Sequence, residues 1–298
     1  MNFDWLALSN PVAVWWSFLL VVSIVNIGVF AALHRHFRRR SFERGVFQIE
    51  IMIVLCAAYV FGCAFRSILP RADVQRIVLF DTWLSSVFVG RSVATIAEIC
   101  FVIQWAIVLR YLARLTQSDF ARGVSYVIVP LILMAECCSW YAVVTTNYLG
   151  NAIENSLWAV TFLLIAAALL RLCIEFGGVI QTAMRTAVVG IVGYIAFLVS
   201  IDVPMYLARW QADLASGKEI LGVFAGLYDV STRWAVTHDI AHWHEEIAWM
   251  SLYFSAAVWS SLALCGFLLV KDRLHHYRLK PARAQAPARL TYRRSANV

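Results

Sequence analysis

Seven mostly apolar runs, most of them about 20 residues long, divide this 298-residue chain and dictate its fold class. They are Pro11–Leu33, Phe47–Leu69, Ser86–Leu109, Val124–Val144, Leu157–Leu172, Thr186–Leu207 and Ile247–Val270. A run of that length crosses the hydrocarbon core of a bilayer as one α-helix. Within the bilayer every backbone N–H and C=O has to be paired inside the protein, which only helices and closed barrels achieve. The runs lack the alternation of barrel strands. The expectation is an all-α, polytopic helical membrane protein with about seven transmembrane helices. Composition agrees, with 61% hydrophobic and 14% charged residues. The first run has no basic stretch before it and arginines rather than a cleavage site after it, so it reads as a retained helix.

Arg and Lys set the expected orientation. Arg35, Arg38, Arg39, Arg40 and Arg44 follow the first run, and Arg110, Arg114 and Arg122 follow the third. Arg171 and Arg185 follow the fifth, and eight more lie between Lys271 and Arg294, giving 18 of the 25 basic residues on one side. By the positive-inside rule the N-terminus is outside and the C-terminus cytoplasmic. The chain then divides into a seven-helix domain, residues 1–272, and a basic, disordered cytoplasmic tail, residues 273–298. The net charge of +7 is thereby accounted for as a topology signal, and a nucleic-acid partner is not expected. Bacterial inner membrane is the expected location. The seven cysteines fall inside the spans or, for Cys173, at the end of one, without a CxxC spacing, which points to packing rather than disulfides or zinc.

Ionisable groups inside such helices are costly and are expected to face the protein interior. In the third span Arg91, Thr95 and Glu98 stand at i, i+4 and i+7 on one helix face. Glu98 is about 12 residues into the span, roughly 18 Å at 1.5 Å per residue. Glu136 lies at a similar depth in the fourth span. Asn147, Asn151, Glu154 and Trp158 enter the fifth, and Asp202 precedes Pro204 in the sixth, where the missing N–H frees a carbonyl. The last span opens with His238, His242, Glu245 and Trp249, in the same spacing as Asn147–Trp158, and with Glu246 beside them. Thr95-x-x-Glu98 is a looser match. A repeat of hairpins, organised 1+2+2+2, follows from that comparison. Two loops complete the outer side: Pro70–Ser85 reads as an amphipathic piece in the headgroup region, and Ala208–Glu246 as an interfacial helix or lid.

Two imidazoles and a carboxylate on one helix face can hold a transition metal. The expected ligands are His238, His242, Glu245 and Glu246, for iron, zinc, manganese or copper. Glu98, Glu154 and Arg91 would serve catalysis, and Glu136, Asn147, Asn151 and Asp202 a polar network. The leading expectation is therefore a metal-dependent membrane enzyme, a hydrolase or oxidoreductase. It would act at the outer, periplasmic face on a lipid or other hydrophobic small molecule. The spacing His-x3-His-x2-Glu matches no metalloprotease signature. It resembles seven-span metal hydrolases related to ceramidases at that point alone, since their early serine-plus-histidine motif is missing. The alternative is a cation- or proton-coupled transporter using Glu98 and Glu136. A second alternative is a seven-helix sensor or assembly factor; no lysine occupies the interior of the last span for a retinal Schiff base.

Overall fold

The computed structural model describes residues 4–6, 9–41, 47–270, 274 and 277. Seven helices are long and apolar enough to cross a membrane, and the chain is a multi-pass helical membrane protein. The first five spans are α1 (Pro11–Ser41), α2 (Phe47–Ile68), α3 (Val87–Thr116), α4 (Asp119–Thr145) and α5 (Tyr148–Cys173). The sixth is built from α6 (Gly178–Phe197), a π-helical turn (Leu198–Asp202) and α7 (Val203–Ala215). A short α8 (Val223–Thr232) follows. The seventh span joins α9 (Ile240–Leu252), a second π-helical turn (Tyr253–Ala257) and α10 (Val258–Val270). Consecutive spans from α1 to α6 pack on one another, and α10 returns against α1, α2 and α3. Apolar side chains such as Val21, Ile24, Val54, Val179 and Val189 remain exposed around the bundle, as a lipid-facing surface requires.

Caps explain where the helices begin. Ser86 accepts from the Val89 N–H at the start of α3, and Ser118 from the Ala121 N–H at the start of α4. Asn147 accepts from the Leu149 N–H, so α5 begins at Tyr148 and not at Leu157. Asn151 and Glu154 are therefore helical and face the bundle. Asp239 accepts from the Ala241 N–H and starts α9 at Ile240. His238 is left in the preceding loop.

The loops linking α2 to α3, α4 to α5 and α7 to α9 gather at one end of the bundle. There β1 (Arg71–Ala72) and β2 (Ile77–Val78) form an antiparallel pair, with β3 (Ala235–Val236) parallel to β2. Residues 70–85 are thus not an amphipathic surface piece: Arg71 and Arg76 are both buried. Arg76 takes the left-handed backbone conformation, φ 57°, at the turn. Its carbonyl accepts from the Ala235 N–H at 2.8 Å, and its guanidinium pairs with Asp229 at 2.8 Å and donates to the Val143 carbonyl at 2.7 Å. One side chain therefore ties the hairpin to α4 and α8. The segment between α7 and α9 closes over this end, with α8 seated on α3 and α4. Gly226 permits that seat, since a Cβ there would lie 2.1 Å from the Val144 carbonyl oxygen.

The first span is more than packing. Asn26 is buried in α1, where it donates to the Phe254 carbonyl at 2.9 Å and accepts from Trp259 Nε1 at 3.0 Å. It thereby satisfies a backbone group in the π-turn of the seventh span. The tail, residues 273–298, lies outside the described residues apart from Leu274 and Tyr277, whose carbonyl accepts from the Gly177 N–H at 2.8 Å.

Close helix approach gives the fold a simple test. At Gly150 an added Cβ would sit 2.6 Å from the Cys138 carbonyl oxygen and 2.8 Å from the Ala142 methyl, at the crossing of α4 and α5. Gly150→Ala should lower stability by about 1–3 kcal/mol, the cost of overpacking. Gly190 meets nothing within 4 Å, so Gly190→Ala should be neutral or stabilising by about 0.5–1 kcal/mol through helix propensity. Thermal unfolding of the two purified variants in detergent compares them directly.

Candidate functional site

Four carboxylate and guanidinium groups meet in the interior of the bundle. Arg91 and Glu98 come from α3, Glu136 from α4 and Glu154 from α5, and all four are buried. The Ala94 and Ala97 neighbours on α3 keep its surface low enough for α4 and α5 to approach. Arg91 Nη2 lies 2.8 Å from Glu136 Oε2, 3.1 Å from Glu154 Oε1 and 3.3 Å from Glu98 Oε2. That nitrogen carries two protons, so three acceptors have to share them.

A ring of polar side chains orients the acids. Tyr253, at the start of the second π-turn, donates to Glu98 Oε1 at 2.9 Å. Trp140 Nε1 donates to Thr95 Oγ1 at 3.1 Å, and Thr95 in turn donates to Glu136 Oε2 at 2.5 Å. Asn151 Nδ2 donates to Glu154 Oε2 at 3.2 Å. Buried atoms left without a hydrogen-bond partner include Glu136 Oε1, Arg91 Nε, Asn151 Oδ1 and Ser139 Oγ. The set is therefore not closed on itself: it retains acceptor and donor capacity for something further.

Electrostatics point the same way. One guanidinium compensates one of three carboxylates, and an unpaired ionised carboxylate in such surroundings costs several kcal/mol. Protons or a cation have to supply the remaining charge. Oxygen atoms of Glu98, Glu136 and Glu154 lie within 4.8 Å of one another, close enough to share a metal ion.

Between this cluster and the loop-covered end lies a cavity of about 60 Å³, several times the roughly 10–15 Å³ that one water needs. Its walls include Arg66, Arg71, Arg91, Asp73, Glu154 and Glu246, with Tyr206, Trp249, Asn151 and Asn155. Burial of Asp73 on its own would raise its carboxyl, but Arg66 and Arg71 beside it hold it below the ordinary 3.8. Burial lowers Arg71 to about 10, against the pull of Asp73, so it remains a cation at neutral pH.

The structure brings together Arg91, Glu98, Glu136, Glu154 and Asn151, and it parts the late histidine stripe. His238, ahead of α9, stacks on Trp5 at 4.3 Å between ring centres and bonds the Leu79 carbonyl through Nε2 at 3.0 Å. His242 lies on the exposed face of α9, its Nδ1 3.2 Å from Thr237 Oγ1. Glu245 pairs with Arg209. Glu246 turns to the cavity instead. These four residues do not form a ligand set, because the Asp239 cap excludes His238 and the helix is rotated toward its Trp243–Met250 face. Asn147 is spent as a cap, with its Nδ2 3.3 Å from the Tyr141 hydroxyl. Asp202 ends the first π-turn beside the cluster and accepts from Asn155 at 3.4 Å.

Sequence reasoning missed Tyr253, Trp140, Arg66 and Arg71 as members of the site. The signal for Tyr253 is the stripe Glu246–Trp249–Tyr253 at i, i+3 and i+7, with Tyr253 stacked on Trp249 at 4.9 Å. No protein-family model, curated protein or solved structure matches the chain.

Removing the central cation should be severe. Arg91→Met is expected to cost about 3–5 kcal/mol at neutral pH, because it strands three buried carboxylates. The loss should shrink as pH falls and the acids take up protons, and the double variant Arg91→Met with Glu136→Gln should recover part of it. Thermal unfolding in detergent at acid and alkaline pH measures both effects.

Proposed function

We propose that the chain is a proton-coupled membrane transporter whose coupling group is the Glu98–Glu136–Glu154 cluster around Arg91. The observation that carries this reading is one guanidinium nitrogen serving three buried carboxylates from three helices. Such a site must bind protons or a cation to exist in a low-dielectric interior. It also lies below a cavity through which that charge can be exchanged. Glu154, which lines the cavity and stands 3.1 Å from Arg91 Nη2, is the group to receive an arriving proton. Glu98, held by Tyr253 on the seventh span, is the group whose charge the helix on the other side senses. The arginine asymmetry of the sequence supports an orientation with the loop-covered end outside, in which the cavity is the outward-facing compartment.

A second reading, the metal-dependent enzyme, draws support from the three carboxylate oxygens lying within 4.8 Å. An all-oxygen donor set suits magnesium, calcium or manganese rather than copper or zinc. A metal there would have to displace Arg91 Nη2 from the centre of the cluster. Transporter and enzyme differ in what the purified protein holds.

Infrared difference spectra between acid and alkaline buffers should contain a carboxylic-acid C=O band that Glu98→Gln or Glu154→Gln removes or shifts. In proteoliposomes under a potassium-clamped potential, proton flux should fall roughly tenfold or more in Glu98→Gln, because an intramembrane acid has no substitute as proton carrier. Elemental analysis should find no stoichiometric metal in either protein. Flux unchanged in both Glu98→Gln and Glu136→Gln would defeat the transport reading, and stoichiometric metal lost in Glu136→Gln would install the enzyme reading in its place.

A further inference from the structure

Above the carboxylate cluster, two guanidiniums share a wall of the cavity and neither is fully used. Arg66, near the end of α2, is 4% exposed and Arg71, in β1, is 0% exposed. Asp73 engages one edge of each, at 3.0 Å from Arg71 Nε and 3.9 Å from Arg66 Nη2. Arg71 Nη1 donates to the Ser86 carbonyl at 3.4 Å. Arg71 Nη2 and Arg66 Nη1 are buried with no hydrogen-bond partner. Buried donors of a charged group are costly to leave unpaired, and both residues line the cavity.

Both arginines are packed against neighbouring helices. Gly90 of α3 lies directly against the Arg71 guanidinium. Arg66 is held over the Trp249 ring, its Cζ 5.6 Å from the centroid. Asp73 supplies one negative charge for two cations, and Arg91, the third guanidinium of the cavity, is committed to its three carboxylates. At the Arg66–Arg71 wall itself a metal cation would be repelled.

We propose that the cavity binds one oxyanion, a carboxylate or phosphate group, between Arg66 and Arg71. Paired N–H groups on a planar guanidinium match the oxygens of such a group two at a time. Glu154 and Glu246 line the rest of the cavity, so the anionic end of the ligand sits on the Arg66–Arg71 wall. Arg66 and Arg71 are not members of the proton-binding cluster, which Arg91, Glu98, Glu136 and Glu154 form. The ligand of the Arg66–Arg71 wall is either a soluble anion or the headgroup of an anionic lipid.

Calorimetry on the full chain in nanodiscs of zwitterionic lipid, with inorganic phosphate and with acetate as probes, tests the proposal. Saturable binding of at least one probe is expected, weakened roughly tenfold or more in Arg66→Gln and in Arg71→Lys, which keeps the charge but loses the fork. Thermal unfolding confirms that each variant is folded, and Arg66→Gln serves alone if Arg71→Lys is not. Glu136→Gln should retain phosphate binding, which separates failure of this site from failure of the proton cluster. If soluble probes bind only weakly, native mass spectrometry should find one anionic phospholipid retained by wild type and lost from Arg66→Gln, which assigns the site to a lipid headgroup. Wild-type protein that takes neither probe nor anionic lipid overturns the proposal, as does equal binding in wild type and the arginine variants.

Discussion

Arg91 stands among three carboxylates in a bundle interior where neither sign of charge can be hydrated. Dehydrating each ion costs several kcal/mol, and only close, well-oriented partners offset it. That requirement fixes the helix arrangement more tightly than the apolar contacts around it. Leucine and valine faces can slide past one another at small cost in a bilayer, since lipid tails are as apolar as they are. A guanidinium 2.8 Å from one carboxylate and 3.1 Å from another cannot. The rotation of α3, the depth of Glu136 in α4 and the extra turns of α5 before Leu157 all follow from bringing these groups to one point. The seventh span is bound into the same point by Tyr253.

The π-turns belong to this arrangement. Trp243 and Met250 on α9 must face the core while Tyr253 reaches Glu98 and Phe254 stays buried. A regular helix cannot keep all of these in register, and a wider turn from Tyr253 to Ala257 absorbs the misfit. Asn26 of α1 takes the Phe254 carbonyl, so the departure from regular pairing is satisfied within the protein. In the sixth span the cause is covalent: Pro204 has no N–H, and the Val203 N–H bonds the Leu198 carbonyl in the turn before it. Tyr253 opens one of these turns and donates to Glu98, and Asp202 closes the other and accepts from Asn155. Helices with such turns can shift register more cheaply than regular ones, which is where motion in the sixth and seventh spans would start.

Much of this was legible in the sequence, and what was not has identifiable causes. The seven spans follow from run length alone. Arg91 and Glu98 share a face by their spacing, and Glu136 and Glu154 declare themselves because a lone carboxylate in an apolar span has to find a partner. The periodicity of the late histidines runs across a helix start. Asp239 is the better N-cap, and once α9 begins at Ile240 the face carrying His242 and Glu245 is the exposed one. Glu246, Trp249 and Tyr253 form the stripe that matters, yet nothing local distinguishes the two stripes; rotation is decided by Trp243 and Met250 against the rest of the bundle. Arg71 was hidden for a different reason. A charged loop of that composition ordinarily lies in solvent, and among the groups Arg71 is buried against, the Ser86 carbonyl lies 15 residues later.

The two ends of the cavity are electrically linked whatever passes through it. Arg66, Arg71 and Arg91 line the cavity of about 60 Å³ together with Asp73, Glu154 and Glu246. An anion on the Arg66–Arg71 wall adds negative potential to that volume and raises the affinity of the neighbouring carboxylates for protons. By reciprocity of linkage, protons on those carboxylates raise affinity for the anion by the same factor. Glu154 is the common element, since it lines the cavity and also holds Arg91 Nη2 at 3.1 Å. When a proton neutralises Glu154, Arg91 is drawn more strongly to Glu136 and Glu98, and the pull passes through Glu98 to Tyr253 and the π-turn of the seventh span. Charge balance in a closed space is thus sufficient to connect occupancy of the cavity with the one helix segment whose backbone is already irregular.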